Sequence, residues 1–190
     1  MYMKKSLWIT LGIIAVVIII LFTFFGGTYN SMNRMRGEVE EKQADIFTQL
    51  QRRTDLIPNL VNTVQGYAQH EKEVFTAVSD ARAKLAGAGT MAERGAADAE
   101  LTSAVSRLLA IAENYPQLKA DQTFISLQDE LAGTENRIAT SRKDYNKAAK
   151  DYNVKIRSFP ANLLAGMYGF STVDLFEAKE GSENPPVVSF

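Results

Sequence analysis

The sequence predicts an all-α protein: an N-terminal transmembrane helix followed by an antiparallel bundle of three to four long helices with coiled-coil-like packing. Three observations predict it. The stretch "SLWITLGIIAVVIIILFTFF", Ser6 to Phe25, carries no charge. Beyond it, apolar residues recur at steps of three and four, with no sustained alternation of period two. The prolines are confined to Pro58, Pro116, Pro160 and the Pro185-Pro186 pair, which leaves long stretches free to be helical.

The first element is the anchor. An uncharged helix of this length crosses a hydrocarbon core of about 30 Å. Trp8 at one end, and Phe22, Phe24, Phe25 and Tyr29 at the other, stand where interfacial aromatic belts form. Its apolar run is longer than a signal-peptide core, and "TFFGGTY" has no small-x-small cleavage site, so the stretch is expected to stay uncleaved. Lys4 and Lys5 precede it; Arg34 and Arg36 follow. A short basic tail stays in the cytoplasm, whereas a long downstream domain translocates largely regardless of its charge. The expected organisation is a cytoplasmic tail over 1–5, a bilayer-spanning anchor over 6–25, a helical-bundle domain over 29–170 outside, and a polar, Pro-containing tail over 171–190.

Two apolar series define the bundle. Val39, Ile46, Arg53, Leu60, Tyr67, Val74 and Ala81 fall at seven-residue intervals, with companions Gln43, Leu50, Ile57, Val64, Glu71, Val78 and Leu85. That is a coiled-coil-like seam interrupted by polar residues at Gln43, Arg53 and Glu71. Phe124, Leu131, Ile138, Tyr145, Tyr152 and Phe159 make a cleaner second series. Between them Leu101, Val105, Leu108 and Ala112 form a shorter amphipathic run.

Punctuation sets the boundaries. "GAGTMAERGA", Gly87 to Ala96, reads as a small-residue loop ending the first long helix. "ENYPQ" stops the second, because a residue before proline is pushed out of helical geometry. The third helix is expected from about Lys119 to Ser158, with "SFP" as its stop, and the short apolar piece "ANLLAGMYGF" follows. The first soluble helix begins acidic (Glu38, Glu40, Glu41, Asp45), and the last ends basic (Arg142, Lys143, Lys147, Lys150, Lys155, Arg157). Basic residues suit a helix C-terminus through the dipole. Antiparallel packing of these helices would also bring complementary charges together and return "FPANLLAGMYGF" toward the bilayer.

Composition excludes several functions. The 21 basic and 22 acidic residues nearly cancel, which argues against nucleic-acid binding. With no cysteine, disulfides, thiolate metal sites and cysteine nucleophiles are ruled out. The one segment with chemical promise is "RRTDLIPNLVNTVQGYAQHEKEVF", Arg52 to Phe75. Arg53 and Asp55, two residues apart, cannot face each other on a helix. His70 and Glu71 have no second histidine to complete a zinc motif. No nucleophile elbow, P-loop or dinucleotide fingerprint occurs. The segment reads as a bundle wall in which Pro58 orphans the Thr54 carbonyl and bends the helix. The sequence therefore predicts no catalytic, cofactor-binding or metal-binding residue and no small-molecule substrate.

"RRTDLIPNLVNTVQGYAQHE", "ENYPQLKADQTFISLQDEL", "TENRIATSRKDYN" and "YNVKIRSFPANLLAGMYGF" resemble the signature blocks of the LemA family, in the same order, from about Tyr29 to Phe170. The resemblance implies a bacterial envelope protein anchored once and carrying a helical-bundle domain; with the orientation read from the basic tail, the expected location is the cytoplasmic membrane, with the bulk of the chain on the periplasmic or extracellular side. It brings no catalytic residue.

Two functional classes follow. One is a non-enzymatic scaffold that organises or remodels the membrane as a homo-oligomer, its polar seam positions specifying register and partner number. The other is an adaptor or substrate of another envelope protein, such as a PDZ-containing protease, recognised through the terminal Val188-Ser189-Phe190. The apolar cluster Leu163, Leu164, Met167, Tyr168 and Phe170 has three readings: a cap on the bundle, a subunit contact, or an element at the headgroup boundary.

Overall fold

The computed structural model describes residues 2–176, with side chains from Trp8 onward. The side chains of Lys4 and Lys5, and the terminal Val188-Ser189-Phe190, lie outside the described residues. Six α-helices and one 3-10 turn account for the regular structure described, and no strand occurs among these residues. They are α1 (Tyr2–Gln65), α2 (Lys72–Gly87), α3 (Met91–Ile111), the 3-10 turn Ala112–Asn114, α4 (Pro116–Lys119), α5 (Gln122–Arg157) and α6 (Ala161–Tyr168).

The start of α1 is the apolar stretch, with a window of mean hydropathy 2.8 and none of it buried. Thr23 within it donates to the carbonyls of Ile19 and Ile20, and Thr28 just beyond it to that of Phe24. This is the form a hydroxyl takes where no water is available.

The predicted first helix is in fact two. α1 runs through Pro58 and stops at Gln65, a turn occupies Gly66–Glu71, and α2 restarts at Lys72. The break disturbs the seam locally: Tyr67 stands 38 % exposed and Val74 is only half-buried, with Phe75 buried in its place, while the expected Val78, Ala81 and Leu85 are buried. The phenol of Tyr67 instead donates to Asp121 at 2.8 Å. The apolar spacing resumed so close to phase that a seven-residue count ran across the gap.

The loop expected over Gly87–Ala96 shrinks to Ala88–Thr90. Thr90 forms a capping box: its hydroxyl accepts from the Glu93 amide, and the Glu93 carboxylate accepts from the amides of Thr90 and Gly89. These bonds hold the Glu93 carboxyl below its ordinary range. α5 begins after Asp121, whose Oδ1 accepts from the amides of Thr123 and Phe124, an N-cap that lowers the Asp121 carboxyl, with the Tyr67 bond adding to it.

The chain divides into two compact units. The first holds Met1–Glu41 and Lys147–Val173. Its buried residues include Met32 and Val39 of α1, Ala149, Tyr152 and Ile156 of α5, and Ala161, Leu164 and Ala165 of α6. Burial raises the Tyr152 phenol; the charges of Arg36, which lowers it, and Glu40, which raises it, also reach it. The ring of Tyr29 meets Tyr168 at 4.9 Å and Phe170 at 5.6 Å, edge to face. The "ANLLAGMYGF" segment therefore does return to the α1 residues just past the apolar stretch. Gly169, at φ 73°, ends α6 in the left-handed conformation that glycine adopts freely, and the Phe170 amide bonds back to Ala165. Phe159, expected as the last residue of the α5 series, is 82 % exposed, because α5 ends two residues earlier.

Among the described residues, the second unit holds Lys42–Asn146 and the segment from Asp174 to Phe176. Ile46, Leu50, Ile57, Leu60 and Val64 of α1 are buried there, as are Leu101, Val105 and Leu108 of α3 and Phe124, Leu131, Ile138 and Tyr145 of α5. Each such side chain contributes about 1.5–3 kcal/mol on leaving water, and the periodicity had assigned all of them to the core. α2 packs along α3.

Asparagines of α5 hold the extended chain that follows α6. In the first unit, Asn153 donates to the Val173 carbonyl at 2.8 Å and accepts from the Val173 amide at 2.9 Å. In the second, Asn146 grips Phe176 in the same two-sided way, at 2.8 and 2.7 Å. A side-chain amide thus imitates the pairing of a neighbouring strand.

Candidate functional site

The densest polar arrangement is buried in the second unit. Asp98 of α3 is 1 % exposed. Its Oδ1 accepts from Nη1 of Arg53 on α1 at 2.9 Å, and its Oδ2 accepts from Nη2 of Arg142 on α5. Nη1 of Arg53 also lies 2.7 Å from Oε2 of Glu135, a close ion pair without the alignment of a hydrogen bond. Two guanidinium groups and two carboxylates make the cluster neutral, the condition for taking charges out of water at tolerable cost. The Nε atoms of Arg53 and Arg142 have no partner, so the centre is not saturated on the donor side.

An aromatic ring covers one of the centre's arginines, and another covers Arg94, one turn before Asp98 on α3. The Arg142 guanidinium sits 4.3 Å over the ring of Phe176, and Arg94 sits 4.3 Å over Phe47. Phe176 reaches in because residue 95 is glycine: a Cβ there would lie 3.1 Å from the ring.

A second polar contact repairs the backbone at Pro58. Proline has no amide to give the carbonyl four residues back, and that carbonyl, Thr54, accepts instead from Nε of Arg82 on α2 at 3.1 Å. The sequence located the orphan; its donor, 28 residues away, became visible only in the fold.

Each Asp98 oxygen already accepts from a guanidinium group. Asp55, half of the sequence-level pair with Arg53, accepts instead from Gln51 one turn back on its own helix. His70 lies exposed in the turn between α1 and α2 rather than on a helix, and Glu71 leads into α2 without a side-chain cap. Among the described residues, no group of His, Asp and Glu side chains is placed to hold a metal ion. A cavity of about 550 Å³ between α2 and α3 is walled by Ala77, Ala83 and Ala104 and by charged groups, with Lys84 and Glu100 paired across it at 2.6 Å. Its alanine and ion-pair lining lacks the aromatic and aliphatic surface of small-molecule sites.

Sequence reasoning named Arg53 as an anomaly but missed Asp98 and Arg142. Asp98 sits at an α3 position whose neighbours, "AADAE", signal nothing but a solvated helix start.

Residues 42–190 match the sequence pattern of the LemA family. This chain belongs to the LemA family. It is 30 % identical over 183 residues to Magnetosome protein MamQ 2 of Paramagnetospirillum magneticum, a match covering 83 % of this chain and 67 % of the relative. To Magnetosome protein MamQ of Magnetospirillum gryphiswaldense it is 29 % identical with the same coverage. To Protein LemA of Metamycoplasma hominis it is 24 % identical, covering 85 % of this chain and 74 % of that one. In this LemA-family chain, the blocks that carry the resemblance include Arg53, Pro58 and Arg142. The matched stretch 42–190 covers both the buried ion-pair centre and Pro58.

Proposed function

We propose that this LemA-family protein is a non-enzymatic scaffold. A single α1 span holds it in the bacterial cytoplasmic membrane, and it self-associates through an antiparallel helical bundle to organise or remodel that membrane. One observation carries the reading. From Trp8 to Phe25 the large apolar side chains of α1 are uncovered, Trp8 at 74 % and Phe22 at 81 %, whereas the same helix further on buries Ile46, Leu60 and Val64 completely. A bilayer suits so long an uncovered apolar surface. The ion-pair centre supports a structural role, since its charges neutralise one another. That relatives carry the name magnetosome protein supports a role tied to a cellular structure rather than to a reaction. Orientation follows from the Lys4-Lys5 tail: N-terminus in, the domain outside.

Size-exclusion chromatography with light scattering on detergent-extracted full-length protein tests the scaffold. A defined assembly of several copies is expected. A monomer at all concentrations would remove self-association and leave the adaptor reading.

A further inference from the structure

α6 is apolar on both faces. Ala161, Leu164 and Ala165 are buried, at 3 %, 5 % and 4 % exposure, and serve as the cap that the sequence suggested. Capping uses that face alone. The other side leaves Leu163 59 % and Met167 77 % exposed; Tyr168, at the end of the buried stripe, is 59 % exposed, and Phe159 just ahead of the helix is 82 % exposed. Apart from the exposed Asn162, α6 carries apolar or small residues on every side, the pattern of a helix set in a core or against a membrane.

Its position in the first unit selects between these. Tyr29, whose ring holds both Tyr168 and Phe170, follows the last residue of the apolar stretch, Phe25, by one helical turn, a rise of about 6 Å. The headgroup layer extends roughly 5–8 Å beyond the hydrocarbon on each side of a bilayer. Tyr29 and the two rings packed on it therefore fall at headgroup depth. The charge pattern agrees. Gly26 to Asn33 carry no charge, nor does any residue from Ser158 to Val173. Charges resume on both segments beyond these stretches, at Arg34 on α1 and at Arg157 before Ser158.

We propose that the Leu163 and Met167 face of α6, flanked by the exposed rings of Tyr168 and Phe159, lies in the headgroup–acyl boundary of the leaflet that α1 leaves, making α6 an interfacial foot. This rests on reading the start of α1 as a membrane span. The occupant of the face is lipid, because the face continues the apolar surface of the span across the Tyr29 contact. Interfacial helices of this kind bury an apolar face about 5–10 Å into the boundary.

The chain contains no cysteine and a single tryptophan, Trp8, which makes the test clean. Full-length Met167→Cys carrying a bimane label is reconstituted at high dilution in phosphatidylcholine–phosphatidylglycerol vesicles that contain lipid with a nitroxide high on the acyl chain. Glu38→Cys, exposed and about 20 Å of helix beyond Phe25, is the reference. Bimane at 167 should be quenched several-fold more than bimane at 38, alongside quenching of Trp8. Quenched Trp8 with equal signals at 167 and 38 would overturn the foot and leave the anchor intact. Unquenched Trp8 would overturn the anchor, and the foot with it. Shielding of position 167 from aqueous iodide that vanishes as protein is diluted in lipid would identify a second copy as the occupant and overturn the proposal.

Discussion

Nε of Arg82 donates to the carbonyl of Thr54 at 3.1 Å, supplying the bond that Pro58 withholds from its own helix. The proline and the arginine are thus one device, joining α1 to α2 across the break at Gly66. Arg82→Ala should cost about 1–3 kcal/mol by leaving the carbonyl unpaired. In a Pro58→Ala background the new amide takes over the carbonyl, so the same change should cost clearly less. A double-mutant cycle by urea unfolding of the detergent-extracted protein measures the difference, and equal costs in both backgrounds would refute the coupling.

Asp98→Ala removes the shared acceptor of Arg53 and Arg142. With the Arg53 side chain 5 % exposed, an uncompensated charge is left behind, at a cost of about 3–5 kcal/mol. Glu135, which keeps one contact with Arg53 and is half-exposed, should hold the loss to the lower part of that range. Asp98→Leu combined with Arg53→Met should recover part of it, because an apolar pair of similar volume tolerates the site better than a lone charge. The midpoint of chemical unfolding reports both.

Two glycines should respond to alanine with opposite signs. Gly133, inside α5, faces only the Arg137 guanidinium at 3.7 Å, so Gly133→Ala should stabilise by up to about 1 kcal/mol through helix propensity. Gly95, inside α3, has the Phe176 ring at 3.1 Å, and that ring is held between Arg142 and the grip of Asn146. Gly95→Ala should destabilise by about 1–3 kcal/mol and expose the Asp174–Phe176 segment to limited proteolysis.

Acid should loosen two helix starts. The Glu93 and Asp121 carboxyls are lowered in the folded chain by the amides they accept from. A lowered carboxyl stabilises above its unfolded value, about 4.3 for Glu and about 3.9 for Asp, and that stability is lost as pH falls through the folded value. Thermal unfolding between pH 6 and pH 3 should show a shallower acid slope in Glu93→Gln/Asp121→Asn than in the parent. Parallel slopes would remove the caps as a source of acid sensitivity.

Protease added outside intact spheroplasts should digest the domain from Asn30 onward and leave the anchor peptide. Digestion only after lysis would reverse the orientation drawn from Lys4 and Lys5.

The sequence by itself determined the all-helical class, the apolar start of α1 and most of the core. Each rests on local information: an uncharged run long enough to span a bilayer, and a spacing that puts Phe124, Leu131, Ile138, Tyr145 and Tyr152 on one face of one helix. It also located the backbone defect at Pro58, because the missing amide is a property of the residue itself. Tertiary structure decided where the seam breaks. Phe75 resumes the stripe one residue from Val74, a shift too small for periodicity to register across a six-residue turn. It also decided the partners of the polar residues. Asp98 meets Arg53 across 45 positions and Arg142 across 44, and Arg82 reaches Thr54 across 28. A lone charge in an apolar stripe announces only that a partner is needed. Which partner answers depends on which helix faces are brought together, and that is settled by the packing of the whole unit.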